Sequence, residues 1–164
     1  SIKINNQKTN KMADPIKKIK GGLIRVTDQT VAETNRLVLE VSTEKVRNIN
    51  QENVYVELDL TTQKQVDLYL PSIAQFNGAL NLNIWVSDIQ GTIDDAFNLT
   101  IYVAEGTDDT IGGQESIQIT SKFSGMYITP LSSKQWGTFY TQNLSSKIAN
   151  ILPDDEVIAF KKLV

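Results

Sequence analysis

Alternation of apolar and polar residues at every second position is the feature that most limits what this chain can fold into. In four runs, at residues 54–60, 66–70, 80–86 and 97–103, apolar side chains recur at every second position with polar residues between them. Successive side chains of a strand point to opposite faces, so this period is typical of a strand with one face in a core. Shorter runs of the same kind lie at residues 37–41, 117–119, 126–128 and 136–140, and a first and a last strand are predicted at 23–26 and 157–163.

The spacing of the strands predicts the fold class. Turn residues such as Asn77-Gly78, Gly112-Gly113 and Pro130 separate the runs. Strands about ten residues apart, without helices between them, favour a sandwich or barrel. We therefore predict an all-β fold, an antiparallel β-sandwich with a jelly roll as a variant, and at most one or two short helices.

Two finer predictions follow from the periodicity. The apolar phase of two long runs places Leu82, Ile84, Leu99 and Ile101 in the core. One helix is predicted near the end of the chain, because Leu144, Ile148 and Ile151 are spaced i, i+4 and i+7 before Pro153.

The first twenty-two residues differ from the rest. They lack a clean period, and Gly21-Gly22 separates them from the strands, so we predict an extended basic arm with its hinge at 1–22 and a sandwich domain at 23–164. Six lysines against one aspartate give residues 1–20 a net charge of +5, which leaves −8 for residues 21–164. A basic segment of this kind suits an acidic protein face or nucleic acid, and a solvated tail is the alternative.

The composition argues against most enzyme chemistry. The chain contains no His and no Cys. It therefore lacks the commonest general base, thiol nucleophiles and the usual ligands of zinc. No glycine-rich phosphate loop or other cofactor motif is present. We expect no enzyme, no small-molecule substrate and no cofactor, and no apolar run approaches the ~18 residues of a membrane-spanning helix.

Two groups of carboxylates are candidate sites. Asp108 and Asp109, next to Gly112-Gly113 and near Glu115, have the oxygen ligands that Ca²⁺ prefers, although the spacing does not match an EF-hand. Asp94 and Asp95 are candidates for the acid–base pair of a hydrolase, but nothing in the sequence places a partner carboxylate near them. For both groups a solvated turn is the plainer interpretation.

Aromatic residues offer a different kind of surface. Trp85 and Tyr102 lie on the polar phase of their strands, among Asn residues, which predicts that both rings face outward. With Tyr127, Trp136 and Tyr140 they are candidates for binding another protein or a sugar. A carbohydrate-binding or adhesion module is therefore the first alternative function, and a carboxylate-dependent hydrolase is the second.

The layout resembles a class of viral proteins. A basic arm from Lys3 to Lys20, the Gly21-Gly22 hinge and a compact run of short alternating strands are similar to small virion proteins, including capsid-decoration, auxiliary and tail components of phages. This resemblance implies a non-enzymatic structural subunit located in the virion and assembled in the host cytoplasm. Its partners would be its own copies and other virion proteins, with nucleic acid only through the arm and no membrane.

On this hypothesis partner binding involves the arm and the outward aromatic residues. The side chains expected to take part are Ile4, Lys8, Lys11, Lys17, Lys18, Lys20, Trp85 and Tyr102.

Overall fold

The computed structural model describes residues 15–42, 52–76 and 81–141. These residues form eleven strands and one 3-10 helix, Ile73–Phe76. The strands are β1 (Lys17–Lys20), β2 (Leu23–Thr27), β3 (Arg36–Glu40), β4 (Glu52–Asp59), β5 (Val66–Tyr69), β6 (Leu82–Asp88), β7 (Leu99–Tyr102), β8 (Thr110–Ile111), β9 (Ser116–Ile119), β10 (Gly125–Pro130) and β11 (Gln135–Thr141). The helix predicted around Leu144–Ile151 and the strand predicted at 157–163 lie outside the described residues.

The period-two alternation located the strands well. Every predicted strand within the described residues overlaps an observed one, and the four residues predicted to face the core, Leu82, Ile84, Leu99 and Ile101, are all buried. The buried side chains of β4 are Val54, Val56 and Leu58, which alternate with half-buried or exposed positions as the sequence pattern requires. The apolar phase of each strand therefore faces one shared core.

The strands form two sheets that enclose this core. One sheet has five strands in the order β1-β3-β5-β7-β9, and the other has six in the order β2-β4-β6-β10-β11-β8. Strands β1 to β10 alternate between the sheets along the chain, and only the hairpin β10–β11 stays within one sheet. Because β1, β3, β5 and β7 run parallel, as do β2, β4 and β6, the first part of the chain winds as a flattened coil.

The predicted antiparallel pairing is wrong for most of the fold. Six of the nine strand pairs among the described residues are parallel, and only β7–β9, β6–β10 and β10–β11 are antiparallel. A jelly roll is a double Greek key of antiparallel strands, so the parallel pairs also weigh against that variant. The two-layered, sandwich-like arrangement itself is confirmed.

The end of the predicted arm belongs to the body of the protein. Residues Lys17–Lys20 form β1, which pairs in parallel with β3 from Lys17 opposite Leu37 to Lys20 opposite Glu40. Ile19 is buried against the core, whereas the three lysines of β1 are exposed. Charged side chains on an edge strand discourage pairing with other chains, which explains why lysines occupy this strand.

Within the described part of the chain, no helix is long and apolar enough to cross a membrane.

Candidate functional site

A continuous row of large apolar side chains, four exposed and one half-buried, crosses the outer face of the six-stranded sheet. The register places Leu23 of β2 beside Tyr55 of β4, Tyr55 beside Trp85 of β6, Trp85 beside Tyr127 of β10, and Tyr127 beside Phe139 of β11. We call these five residues the aromatic row. The row spans five adjacent strands, and at about 4.8 Å between strands it is about 19 Å wide.

Ring geometry within the row follows from the hydrogen-bond pattern of the strands. The N–H of Asp88 donates to the C=O of Ser124, so the alternation of an antiparallel ladder makes Trp85 and Tyr127 a non-hydrogen-bonded pair, whose side chains lie closer together. Their ring centroids are 4.4 Å apart, against 6.1 Å between Tyr127 and Phe139 and 6.4 Å between Tyr55 and Trp85.

The members of the row remain largely open to solvent. Trp85 and Tyr55 are each 44% exposed, Leu23 is 57% exposed, and Phe139 is 72% exposed. Cross-strand aromatic pairs stabilise a sheet by roughly 0.2–1 kcal/mol each. The apolar surface that these side chains leave in water offers a further gain. A partner that covers it gains about 25 cal/mol for each Å² removed from water. Contiguous exposed apolar patches of this kind mark interaction sites.

Polar groups border the aromatic row on both sides. Towards the ends of β2 and β4, Arg25 forms an ion pair with Glu57 at 3.5 Å. On the other side, the hydroxyl of Tyr127 donates a hydrogen bond to Oδ1 of Asn83. An apolar centre with a polar rim is the usual layout of a protein interface.

Leu131 enlarges the apolar surface next to Phe139. A Cβ atom at Gly137 would lie 2.5 Å from Cγ of Leu131, so only glycine leaves room for this side chain. Leu131 is itself exposed, and Gly137 is two residues from Phe139 on the same strand. The outermost end of the row is therefore its most apolar part.

The two outward aromatic residues predicted from the sequence lie on opposite faces of the sandwich. Trp85 is in the aromatic row, whereas Tyr102 lies on the outer face of the five-stranded sheet. There the ring of Tyr102 stacks on Tyr69 with centroids 4.7 Å apart, and the guanidinium of Arg36 lies 5.2 Å from the centre of the Tyr69 ring. Burial is the main reason that the pKa of Tyr102 is raised, so its phenol stays protonated and neutral. One partner bound to a single face would not contact both residues.

The described lysines of the predicted arm lie along one edge. Lys17, Lys18 and Lys20 are exposed on β1, and Lys18 forms an ion pair with Glu40 at 3.3 Å. The Nζ of Lys17 donates to the C=O of Thr30 at 3.5 Å. Ile4, Lys8 and Lys11 lie outside the described residues.

Asp94 has the geometry of a turn-stabilising acceptor. Its carboxylate accepts hydrogen bonds from the N–H groups of Phe97 and Ala96, at 2.8 and 2.9 Å, and from the side chain of Gln63 at 2.7 Å. The bond from Phe97 is the largest cause that holds the pKa of Asp94 below its ordinary value. The hydrolase role of Asp94 stays a prediction. Asp95 is exposed beside it.

Asp108 and Asp109 each have a protein partner. Nζ of Lys134 donates to Oδ2 of Asp108 at 2.7 Å, and this hydrogen bond is the main cause that lowers the pKa of Asp108. Asp109 is buried and accepts a hydrogen bond from the N–H of Ile73 at 3.1 Å. Among residues 15–42, 52–76 and 81–141, no three acidic side chains come together as a metal site would require.

Sequence reasoning found some members of the aromatic row and missed others. Trp136, a predicted surface candidate, is 0% exposed and belongs to the core, whereas Tyr140 is 38% exposed but lies on the other phase of β11 from Phe139, outside the row. Leu23, Tyr55 and Phe139 were missed as surface candidates. Their outward phase was visible in the alternation, but their alignment in one row depends on strand pairing, which the alternation does not contain.

No family model matches the chain, and no curated protein matches it.

Proposed function

We propose that this chain is a non-enzymatic structural subunit of a virion or a similar assembly, and that it binds neighbouring subunits through the aromatic row. The observation that carries the proposal is the continuity of the row, since five large apolar side chains, four exposed and Tyr127 half-buried, align across five strands. The virion is the kind of assembly that the layout resemblance implies. Residues 1–14 form a second contact in this proposal, through Ile4, Lys8 and Lys11.

Ring orientation favours a protein partner over a sugar. A sugar ring stacks on an open aromatic face, but Trp85 and Tyr127 lie against each other, with centroids 4.4 Å apart and ring planes tilted by 36°, so each ring partly shields the other. The edges and remaining faces form a ridge that fits between side chains of another protein. Aromatic residues are also enriched at the centres of protein interfaces.

Replacement of Trp85 tests the proposal. We expect Trp85→Ser to lower incorporation into purified particles by about tenfold or more, as loss of a central interface aromatic does. Particles are purified by density gradient from cells that make the tagged chain, and its share is measured by quantitative mass spectrometry. The free energy of unfolding is expected to fall by less than about 2 kcal/mol, because Trp85 is half exposed and takes part in two cross-strand aromatic pairs.

Tyr102→Ser is the matched variant on the opposite face, and it is expected to be incorporated like the unchanged chain. If Tyr102→Ser is the variant that loses incorporation, the five-stranded sheet is the contact face instead. Absence of the unchanged chain from every particle fraction contradicts the assembly role. A sugar bound on a glycan array, and lost in Trp85→Ser, would replace this proposal with the carbohydrate-binding alternative.

A further inference from the structure

Among the strands that the structure describes, five of the seven residues of β11 have no partner on one side. The neighbour of β11 on the side away from β10 is β8, which pairs only with Gln135 and Trp136. In the described part of the chain, no strand pairs with residues 137–141 on that side. An open strand edge carries a row of backbone donors and acceptors that pair readily with another chain.

The hydrogen-bond pattern shows which residues supply these groups. The N–H of Leu131 donates to the C=O of Gln135, so alternation along the β10–β11 ladder turns the backbone groups of Thr138 and Tyr140 away from β10. The bond from the N–H of Thr110 to the C=O of Lys134 agrees, since even-numbered residues face β8 there. Thr138 and Tyr140 therefore offer two N–H donors and two C=O acceptors at the open edge.

This edge lacks the protection found elsewhere. Residues 137–141 read Gly-Thr-Phe-Tyr-Thr, with no charge and no proline, whereas the edge strand β1 has three lysines among four residues. Phe139, at the middle of the open segment, is the most exposed large apolar side chain described, and it ends the aromatic row. Natural proteins rarely leave such a segment unguarded unless it has a partner.

We infer that the open segment of β11, residues 137–141, pairs antiparallel with the same segment of a second copy of this chain. Pairing centred on Phe139 places Thr138 of each copy opposite Tyr140 of the other, which makes four backbone hydrogen bonds. The two Phe139 side chains then form a non-hydrogen-bonded pair on the outer face, so the aromatic rows of the two copies join. Strand β8 ends the pairing at Gly137, and pairing centred on Phe139 places Gly137 of each copy opposite Thr141 of the other.

The inference rests on the proposed function in one respect, because it makes a second copy one of the neighbouring subunits. The contact is small, five residues from each copy, and is below the 1,200–2,000 Å² of total buried area of a standard interface. We therefore expect a weak, concentration-dependent dimer in solution. Many such contacts made together hold an assembly.

Engineered cysteines test the pairing in the full chain, which contains no cysteine of its own. Residues opposite each other in a non-hydrogen-bonded pair have Cα atoms about 4.5 Å apart, within the range that a disulfide spans. In oxidised glutathione, Phe139→Cys should form a disulfide-linked dimer about tenfold faster than Leu23→Cys, an exposed control at the other end of the row. Equal rates for the two variants overturn the inference.

Proline substitution tests the role of the backbone. Thr138→Pro removes a donor from the open edge without touching the β10 ladder, and Thr138→Val keeps that donor and the branched shape. In sedimentation over a concentration series, the unchanged chain and Thr138→Val should dimerise, while Thr138→Pro stays monomeric. A monomeric unchanged chain, or a Thr138→Pro variant that still dimerises, overturns the inference.

Two features keep the outcome clear. If Thr138→Pro fails to fold, the comparison of Phe139→Cys with Leu23→Cys still decides the matter, because neither substitution alters the backbone. If pairing fails but Trp85→Ser still loses incorporation into particles, only the pairing is wrong. If pairing holds but the chain is absent from particles, the assembly role fails and the dimer stands.

Discussion

Asp88→Ala is expected to lower the free energy of unfolding by about 3–4 kcal/mol. The substitution leaves three backbone N–H groups without the carboxylate that accepts their hydrogen bonds. Asp88 is 2% exposed at the end of β6. Its Oδ1 accepts the N–H of Thr92 at 3.2 Å, and its Oδ2 accepts the N–H groups of Ile93 and Phe123 at 3.3 and 3.2 Å. One carboxylate therefore holds the β6–β7 connection and the β9–β10 connection together.

Phe123 shows what the Asp88 carboxylate holds in place. It has a φ of 57°, a left-handed conformation that costs a non-glycine residue roughly 1–2 kcal/mol and persists only where its surroundings hold it. Its ring packs on Gly91, where an added Cβ would lie 2.4 Å from the ring. Without Asp88, the N–H of Phe123 loses its acceptor, and this hydrogen bond no longer holds the loop in the left-handed conformation.

Urea unfolding followed by the fluorescence of the buried Trp136 measures the loss. Asp88→Asn is the matched control, because it keeps the shape and one acceptor oxygen, and we expect it to cost about half as much as Asp88→Ala. A loss below about 1 kcal/mol for Asp88→Ala would mean that water replaces the carboxylate at these donors.

The alternation predicted the strands and their inward faces but not how they pair. Parallel strands usually lie in sheets covered on both faces, and they then appear as continuous apolar runs. Here each sheet has one face in solvent, so parallel strands such as β4 and β6 alternate as antiparallel strands do. The connection of residues 21–22 between β1 and β2 is as short as a hairpin loop, but it crosses from one sheet to the other. Neither the alternation nor the length of the connections distinguishes the coil from an antiparallel sandwich.

The candidate site was predictable only in part, because the alternation gives the face of each side chain but not the pairing of the strands. Phase alone showed that Trp85 and Tyr102 face outward, and both do. It did not show that they lie on opposite sheets, or that Tyr55 and Phe139 align with Trp85, because alignment depends on register. The open edge of β11 depends on where β8 stops, and β8 is a two-residue strand without a periodic signal of its own.

Strand β1 was assigned to the arm because its composition is that of an arm. Three of its four residues are lysines, and Ile19 is the only one buried. An edge strand needs few apolar residues, since one of its sides pairs with the sheet and the rest faces water. The sequence signal for such a strand is therefore close to that of a solvated tail.

Removal of β1 is expected to have a large effect on stability, and removal of the residues before it a small one. A chain beginning at Gly21 loses Ile19 and the whole β1–β3 ladder, including the ion pair between Lys18 and Glu40. Loss of a buried isoleucine alone costs about 2–5 kcal/mol, and the buried Leu37 and Leu39 of β3 become partly exposed beside an unpaired edge. We expect a total loss of about 4 kcal/mol or more, with aggregation through β3.

A chain beginning at Pro15 keeps β1, and it keeps the hydrogen bond from Oγ1 of Thr34 to the C=O of Pro15 at 2.7 Å. It should therefore unfold at nearly the same urea concentration as the full chain. Urea unfolding and light scattering of the two truncations separate the contribution of β1 to stability from that of the residues before it. Equal stability of both would show that β1 contributes nothing to the sheet. Only the chain beginning at Pro15 is suited to testing whether residues 1–14 bind a neighbouring subunit, because any loss of assembly by the shorter chain would follow from unfolding.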